Sequence, residues 1–294
     1  MVIRVAVVGA TGRMGRLALS LIAESDDLVL HAALDSRSKL TECAGADVVL
    51  DVTHPSASGE IVDYAVARGI PIVVGTSGWS EERIARVRVQ VAVRDSHWDT
   101  TPDAVVGDGM AGDAASGADG AELRGHPSHG VTGEGPERSG GVIFVPNFSL
   151  GSVVGTVLAA YAARFFDSVE IVESHHAGKA DSPSGTAVRT AERIAATREA
   201  VGPISAPHPE QRARGELVSG VPIHSMRLAG VDAEQRIVFG GVGETLTFVH
   251  TTVSSVAYRA GLLLALRAAP VTPGVMVGLE TLLGLDLSGV DEGL

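Results

Sequence analysis

Val2-Ile3-Arg4-Val5-Ala6-Val7-Val8-Gly9-Ala10-Thr11-Gly12-Arg13-Met14-Gly15 is the stretch that decides the fold. Its first half is a short β-branched run of the kind buried inside a parallel sheet. Met14, Leu17, Ala18, Leu21 and Ile22 then recur at the spacing of one helix face, so a strand feeds a helix through a glycine turn. Gly9 permits the tight turn, Gly12 the close approach of phosphates, and Gly15 the packing of helix on strand. A pyrophosphate would sit at the start of that helix, where N–H donors and the positive end of the dipole meet it. The glycine spacing alone is a weak signal. It gains weight from a second apolar run, Leu28 to Leu34, which ends in Asp35, 20 residues past Gly15. A carboxylate there can accept hydrogen bonds from a ribose 2′-hydroxyl.

The alternation of strand and helix continues. Val48 to Val52 reads as a strand, His54-Pro55 as a turn, Ile61, Tyr64, Ala65 and Arg68 as one helix closed by Gly69, and Ile70 to Val74 as the next strand. After Gly75-Thr76-Ser77-Gly78 a helix is expected from Ser80 to near Gln90, and Val142 to Val145 forms a further strand before Pro146-Asn147-Phe148-Ser149. These segments imply an N-terminal, Rossmann-type, doubly wound parallel α/β sheet. Loops at the carboxyl ends of such strands face the ligand crevice, which places Thr53, Gly75 to Ser77 and Pro146 to Ser149 beside a nicotinamide-type cofactor. Asp35 favours NADH, because a carboxylate repels a 2′-phosphate, whereas Arg13, Arg16, Arg37 and Lys39 nearby can offset that repulsion. Use of either NADH or NADPH is expected.

A second stretch, E-S-H-H-A-G-K-A-D-S-P-S-G-T-A from Glu173 to Ala187, carries the densest chemistry. Val169, Ile171 and Val172, among Glu170 and Glu173, read as a strand. Asp181, Ser182 or Ser184 can cap a helix, Pro183 suits a first turn, and Ala187, Val188, Ala191, Ile194 and Ala195 share one helical face. His175, His176 and Lys179 therefore fall on a strand-to-helix loop. Ser184, Gly185 and Thr186 fall at a helix start, whose N–H groups attract carboxylate or phosphate. A histidine pair is more often solvated than catalytic, and a lone lysine is usually a surface charge. Their union with an anion cradle is what marks a site. Neither a Cys nor a third His stands at ligand spacing, so no metal is expected here.

This segment closely resembles the E-x-H-H-x-x-K-x-D-x-P-S-G-T-A signature of the dihydrodipicolinate reductases. Supporting marks follow in order: Gly9 to Gly15, Asp51-Val52-Thr53-His54-Pro55, Gly75 to Gly78, Pro146 to Ser149, Arg227-Leu228-Ala229-Gly230, Gly243-Glu244 with His250, and Gly261. The resemblance implies a homotetrameric oxidoreductase of lysine and diaminopimelate biosynthesis. It would reduce a cyclic imine dicarboxylate, 4-hydroxy-tetrahydrodipicolinate, with NADH or NADPH and loss of water. It also implies His175 as proton donor and acceptor, Lys179 as proton donor, and His176, Ser184, Gly185, Thr186 and Ser77 as substrate contacts. Cofactor contacts are implied for Gly9, Ala10, Thr11, Gly12, Arg13, Met14, Asp35, Gly75, Thr76, Ser77, Val145, Pro146, Asn147 and Phe148. The chain departs from the family pattern in places. Ser77 replaces a usual Thr, Ser182 a usual Ala, and Ser254-Ser255-Val256 stands where the family usually carries an Arg, with Arg259 the candidate replacement.

From Arg94 to Gly141 the chain turns rich in Gly, Asp, Ser and His with hardly any apolar period, and reads as a disordered surface insert. Its His97, His126 and His129 with Asp99, Asp103, Asp108 and Asp113 form a weaker candidate for metal binding. A length of 294 residues fits two domains. A dinucleotide-binding domain is expected over 1–149 and 255–294, and a substrate-binding and oligomerisation domain over 150–254. The second is expected to be α+β on an open mixed sheet, with strands near Pro222 to Leu228, Gln235 to Phe239 and Thr245 to Thr251. Ala260, Leu263, Leu264 and Leu266 then share a helix, and Val275 to Leu285 returns to the first domain.

A net charge of −12 argues against nucleic acid or an anionic membrane as partner, so an anionic substrate needs basic groups gathered locally. The one cysteine, Cys43, excludes an internal disulfide and suits a reducing cytosol. No signal-like start or long apolar span is present, and a cytoplasmic location is expected. Two other readings share the cofactor half. An amino-acid dehydrogenase of the same fold would not need the His-His, Lys, Ser-Gly-Thr order, and a catalytically silent cofactor sensor would bind without turnover.

Overall fold

The structure, a computed structural model, describes residues 2–98, 140–198 and 201–285. In chain order its first elements are β1 (Ile3–Val8), α1 (Arg13–Ala23), β2 (Leu28–Leu34), β3 (Val48–Asp51), α2 (Pro55–Ala67), β4 (Ile72–Val74), α3 (Glu81–Trp98) and β5 (Val142–Phe144). Then come α4 (Leu150–Ala162), β6 (Ser168–His175), α5 (Gly185–Thr197), β7 (Glu216–Val218), β8 (Val221–Arg227), β9 (Ala233–Gly241), β10 (Glu244–Thr252), α6 (Arg259–Ala268) and β11 (Val275–Val277).

The first sheet is parallel throughout, in the order β11-β5-β4-β3-β1-β2. Growth reverses between β1 and β3, and the loops leaving those two strands part to form a crevice. The apolar runs are strands because both faces are covered. Val5, Val7, Leu50 and Ile143 pack with α1 and α6, while Ala6, Val49, Ile72 and Val74 pack with α2 and α3. Each fully buried aliphatic side chain contributes roughly 1.5–3 kcal/mol.

Sterics fix the glycine turn. Gly9 sits at φ +90°, and a Cβ on Gly15 would lie 2.2 Å from the Gly9 carbonyl oxygen. Gly12 caps α1 with no side-chain hydrogen bond and no acidic residue in the first turn, which leaves the helix start fit for an anion. One buried carboxylate stitches the neighbouring loops. Asp51, fully buried at the end of β3, accepts from the Thr53 N–H at 3.1 Å, the Thr53 hydroxyl at 2.6 Å, the Thr76 hydroxyl at 2.9 Å, and the Ser58 hydroxyl.

The second sheet runs β10-β9-β6-β8-β7, with β6 and β8 parallel and the remaining pairs antiparallel. Val169, Ile171, Ile223, Ile237 and Phe239 bury one face against Ala187, Ala191 and Ile194 of α5. Strand alternation turns Val172, His224, Arg236 and Val249 to the other face. That face is open, with Val249 54% and Met226 42% exposed.

Several expectations shift. α3 continues to Trp98 rather than ending near Gln90, because Val87 and Val91 prolong its buried stripe. Arg94 then hydrogen-bonds the Gly140 carbonyl at 3.3 Å, so neither Arg94 nor Gly141 belongs to a loose insert. Gly141 is packed so tightly that a Cβ would lie 2.3 Å from the Thr272 carbonyl oxygen. The body of the expected insert, including Asp99, Asp103, Asp108, Asp113, His126 and His129, lies outside the described residues, as does the side chain of His97. On α6 the buried residues are Gly261, Leu262, Ala265 and Leu266, so the face is rotated from the expected one.

Candidate active site

β6 ends at His175, so His175 is the last strand residue rather than the first of the loop. Of the three candidate caps, Ser184 is the one used, its Oγ accepting from the Ala187 N–H at 3.3 Å. Pro183 precedes the helix instead of opening it. The Ser184 N–H donates to Glu173 Oε1 at 3.2 Å, which ties the start of α5 to the end of β6.

A cavity of about 340 Å³ lies where these two ends meet the loops of the first sheet. Arg13 and Met14 reach it from α1, Gly75 from the loop after β4, and Val145, Pro146, Asn147 and Phe148 from the turn after β5. His175, His176, Lys179, Ser184 and Thr186 form the facing wall. Asn147 joins the two sides: its Nδ2 donates to Ser152 Oγ at 3.0 Å and to Thr186 Oγ1 at 3.2 Å.

Thr76, Ser77 and Gly185 line an adjoining cavity of about 500 Å³, which shares Gly75, Val145 and Pro146 with the first. The Thr76 hydroxyl is turned to Asp51, so Thr76 offers backbone rather than side chain to a ligand. Gly9, Ala10, Thr11, Gly12 and Asp35 line neither cavity; they stand at the ends of β1 and β2, where the N–H groups of Gly9 and Ala10 each donate to the Leu34 carbonyl at 3.0 Å. The Arg37 backbone N–H and then its guanidinium hold the Asp35 carboxyl below the usual carboxylate range.

Sequence reasoning missed part of the cavity wall. Gln235, Thr252, Ser255 and Tyr258 line it with His250, whose Nε2 stands 3.1 Å from Ser149 Oγ. Burial pushes the His250 imidazole below its ordinary range. A histidine on an otherwise alternating strand was a readable signal, whereas Gln235 resembled any solvated strand residue. Ser255, in the stretch Ser254-Ser255-Val256 that departs from the family pattern, lines the cavity, whereas Arg259 does not, its guanidinium pairing instead with Glu24, the residue that ends α1, at 2.5 Å.

The acid–base groups are tightly placed. His175 Nδ1 stands 2.5 Å from Glu173 Oε2, and Arg227 grips the same carboxylate with two bonds, of 3.0 and 2.9 Å. Burial pushes the Glu173 carboxyl up, but hydrogen bonds from Arg227, Ser225 and His175 outweigh it and leave it below the usual range. For His175, burial outweighs the upward pull of Glu173, and Lys179 and Arg227 push the same way as burial, so the imidazole is lowered. That direction favours the neutral imidazole. Lys179 Nζ pairs with Asp181 at 2.7 Å. Burial pushes Asp181 up, yet Lys179 and then backbone N–H groups, that of Gly185 among them, hold it low. A carboxylate of the chain itself thus stands between the amine and the helix start. The arrangement can seat an anionic ligand and move protons beside it.

A nucleotide crevice, a helix start suited to carboxylate and an imidazole–amine pair in one cleft define a nicotinamide-dependent oxidoreductase. Comparison with known proteins gives the family. The model for dihydrodipicolinate reductase, N-terminus, matches residues 3–94, and that for dihydrodipicolinate reductase, C-terminus, matches residues 151–283. The chain belongs to the dihydrodipicolinate reductase family. It is 45% identical to the 4-hydroxy-tetrahydrodipicolinate reductase of Clavibacter sepedonicus, over 96% of this chain and 86% of that one. It is 39% identical to the enzyme of that name from Streptomyces griseus subsp. griseus, over 97% and 99%. Among solved structures, the dipicolinate-bound dihydrodipicolinate reductase from Paenisporosarcina sp. TG-14 superposes with a TM-score of 0.68 at 27% identity, covering 96% of this chain and 99% of that one.

Proposed function

We infer that the protein reduces 4-hydroxy-tetrahydrodipicolinate to tetrahydrodipicolinate with NADH or NADPH, releasing water, in lysine and diaminopimelate biosynthesis. The observation that carries this reading is the meeting of His175, His176, Lys179, Ser184 and Thr186 with the nucleotide-side loops in one cavity. The glycine turn fits a dinucleotide: Gly9 holds a conformation side chains rarely adopt, and the start of α1 is uncapped by any side chain. Gly9 to Met14, Asp35, Gly75 to Ser77 and Val145 to Phe148 would hold the cofactor, which when bound supplies the hydride.

The rest falls to side chains and amides of this chain. Ser184, Gly185 and Thr186 hold one substrate carboxylate, with His176 and Ser77 as further contacts. Lys179 leaves Asp181 for that carboxylate and provides a proton, while His175 takes up and returns protons through Nε2. One hydride and one proton enter, and one water leaves. The division of labour proposed is cofactor on 1–149 and 255–294, substrate and assembly on 150–254. The test is nicotinamide oxidation followed by absorbance while the substrate is generated in situ by the preceding aldol-type synthase. Turnover supports the reading, and cofactor binding without turnover contradicts it.

Cofactor choice turns on Asp35, an anion held by Arg37. Both cofactors are expected to serve, because Arg37, with its side chain 89% exposed, can swing toward a 2′-phosphate. Asp35→Ser is expected to raise the NADPH-to-NADH ratio of kcat/KM about tenfold, the size of one lost charged hydrogen bond. An unchanged ratio would place the ribose elsewhere.

A homotetramer is proposed through the open face of the second sheet, where Met226 and Val249 are exposed. Light scattering on the eluting protein should give four times the 30.1 kDa chain mass. Val249→Lys should dissociate it, and a monomeric wild type would end the proposal. Among the described residues no helix is long and apolar enough to cross a membrane. The cytoplasm is the proposed location.

A further inference from the structure

We propose that Glu173 and Arg227 are positioning residues that set His175 in the tautomer with Nδ1 protonated and lock it in register with the carboxylate-binding start of α5. One fully buried carboxylate makes all the connections. Its Oε2 takes the His175 Nδ1 proton at 2.5 Å, and its Oε1 takes the Ser184 N–H at 3.2 Å. The imidazole and the helix start are therefore referred to the same two oxygens. A carboxylate accepts and cannot donate, so the neutral ring must carry its proton on Nδ1, leaving Nε2 as the acceptor toward the cavity.

Burying Glu173 without a cation would be costly, and Arg227 answers that need. Its guanidinium donates to both carboxylate oxygens, at 2.9 and 3.0 Å. It also donates to the Asp181 carbonyl at 2.6 Å. That last bond anchors the loop carrying Lys179, whose amine pairs with the Asp181 side chain. One ion pair thus orients the imidazole, the helix start and the lysine loop together. Neither residue need touch substrate.

The charged groups that act on His175 are Glu173 on its own strand, Arg227 at the end of β8, and Lys179 on the loop, next to His176. Asp232, Glu234, His250 and Arg13 line the same cavity. Glu173 pulls the imidazole upward, whereas Arg227 and Lys179 push it downward. Removing the two partners should therefore shift His175 in opposite directions.

The proposal rests on the reductase reading for its kinetic readout alone. The test is ¹⁵N NMR of the imidazoles in the full chain without substrate, for wild type, Glu173→Gln and Arg227→Met, alongside turnover. Wild-type His175 should be the Nδ1–H tautomer. Glu173→Gln should titrate at lower pH and lose turnover at least tenfold in kcat, with KM for the cofactor unchanged, and Arg227→Met should titrate at higher pH. The near-isosteric Glu173→Gln carries the test if Arg227→Met fails to fold. A wild-type Nε2–H tautomer, or a His175 titration and kcat unmoved in Glu173→Gln, overturns the proposal. If wild type shows the tautomer and shifts but no turnover, the reductase reading fails and the positioning pair stands.

Discussion

His175→Gln and Lys179→Ala are each expected to lower turnover by about 10²–10⁴-fold, the usual contribution of a placed proton-transfer group. Reducing the conjugated ring leaves negative charge that a proton and nearby cations must meet. Lys179 lies in the cavity wall with its amine 2.7 Å from Asp181, and His175 lies beside it with Nδ1 already committed to Glu173. The two variants should differ in kind. On the proposed roles, Lys179→Ala would remove a carboxylate partner as well as a proton source, so its KM should rise while kcat falls. His175→Gln should lower kcat with little change in KM. Dinucleotide affinity, read by fluorescence titration, should survive both, since neither residue lies on the glycine turn. Turnover within a few-fold of wild type in either variant would remove that residue from the chemistry.

Gly185→Ala should separate function from fold more sharply still. A Cβ at Gly185 meets nothing within 4 Å, and the residue is exposed in the first turn of α5. Thermal stability should hold or rise, because Ala favours a helix by up to about 1 kcal/mol over Gly. The methyl group nonetheless occupies the approach to the amides of Gly185 and Thr186. Charge-assisted hydrogen bonds of about 1.5–3 kcal/mol each are at stake. Affinity for dipicolinate, measured by calorimetry, should fall about 10–100-fold, with a matching rise in substrate KM. Gly15→Ala is the contrast, since its Cβ would strike Gly9 backbone at 2.2 Å and damage the turn itself. Unchanged dipicolinate affinity in a folded Gly185→Ala would move the carboxylate off α5.

The first sheet was readable because its signals are local. A β-branched run, a glycine turn and a one-face helix leave marks within about twenty residues, and parallel strands buried on both faces are apolar throughout. β7 and β11 were not read as strands: unlike the equally short β4 and β5, whose residues are all buried, neither buries a residue fully. The continuation of α3 past Gln90 was hidden by composition: Arg94 and Asp95 look like loop, yet Arg94 reaches Gly140, a residue 46 positions away. In the cavity, His175, Lys179 and Thr186 stood in one short segment and could be read together. Arg227 could not be linked to Glu173, because 54 residues separate them and only the parallel pairing of β6 and β8 brings them side by side. Asp51 and Gln235 share that difficulty. Both are polar strand residues that a periodic reading turns toward solvent and that tertiary hydrogen bonds hold inside.

A structure of the full chain with dipicolinate and reduced nicotinamide dinucleotide bound together tests most directly whether one cleft performs the reduction. One ligand carboxylate should rest on the N–H groups of Gly185 and Thr186, with Lys179 drawn from Asp181 to the ligand and His175 beside the ring that faces the nicotinamide. A dicarboxylate bound away from α5, or a nicotinamide ring far from His175 and Lys179, would contradict it.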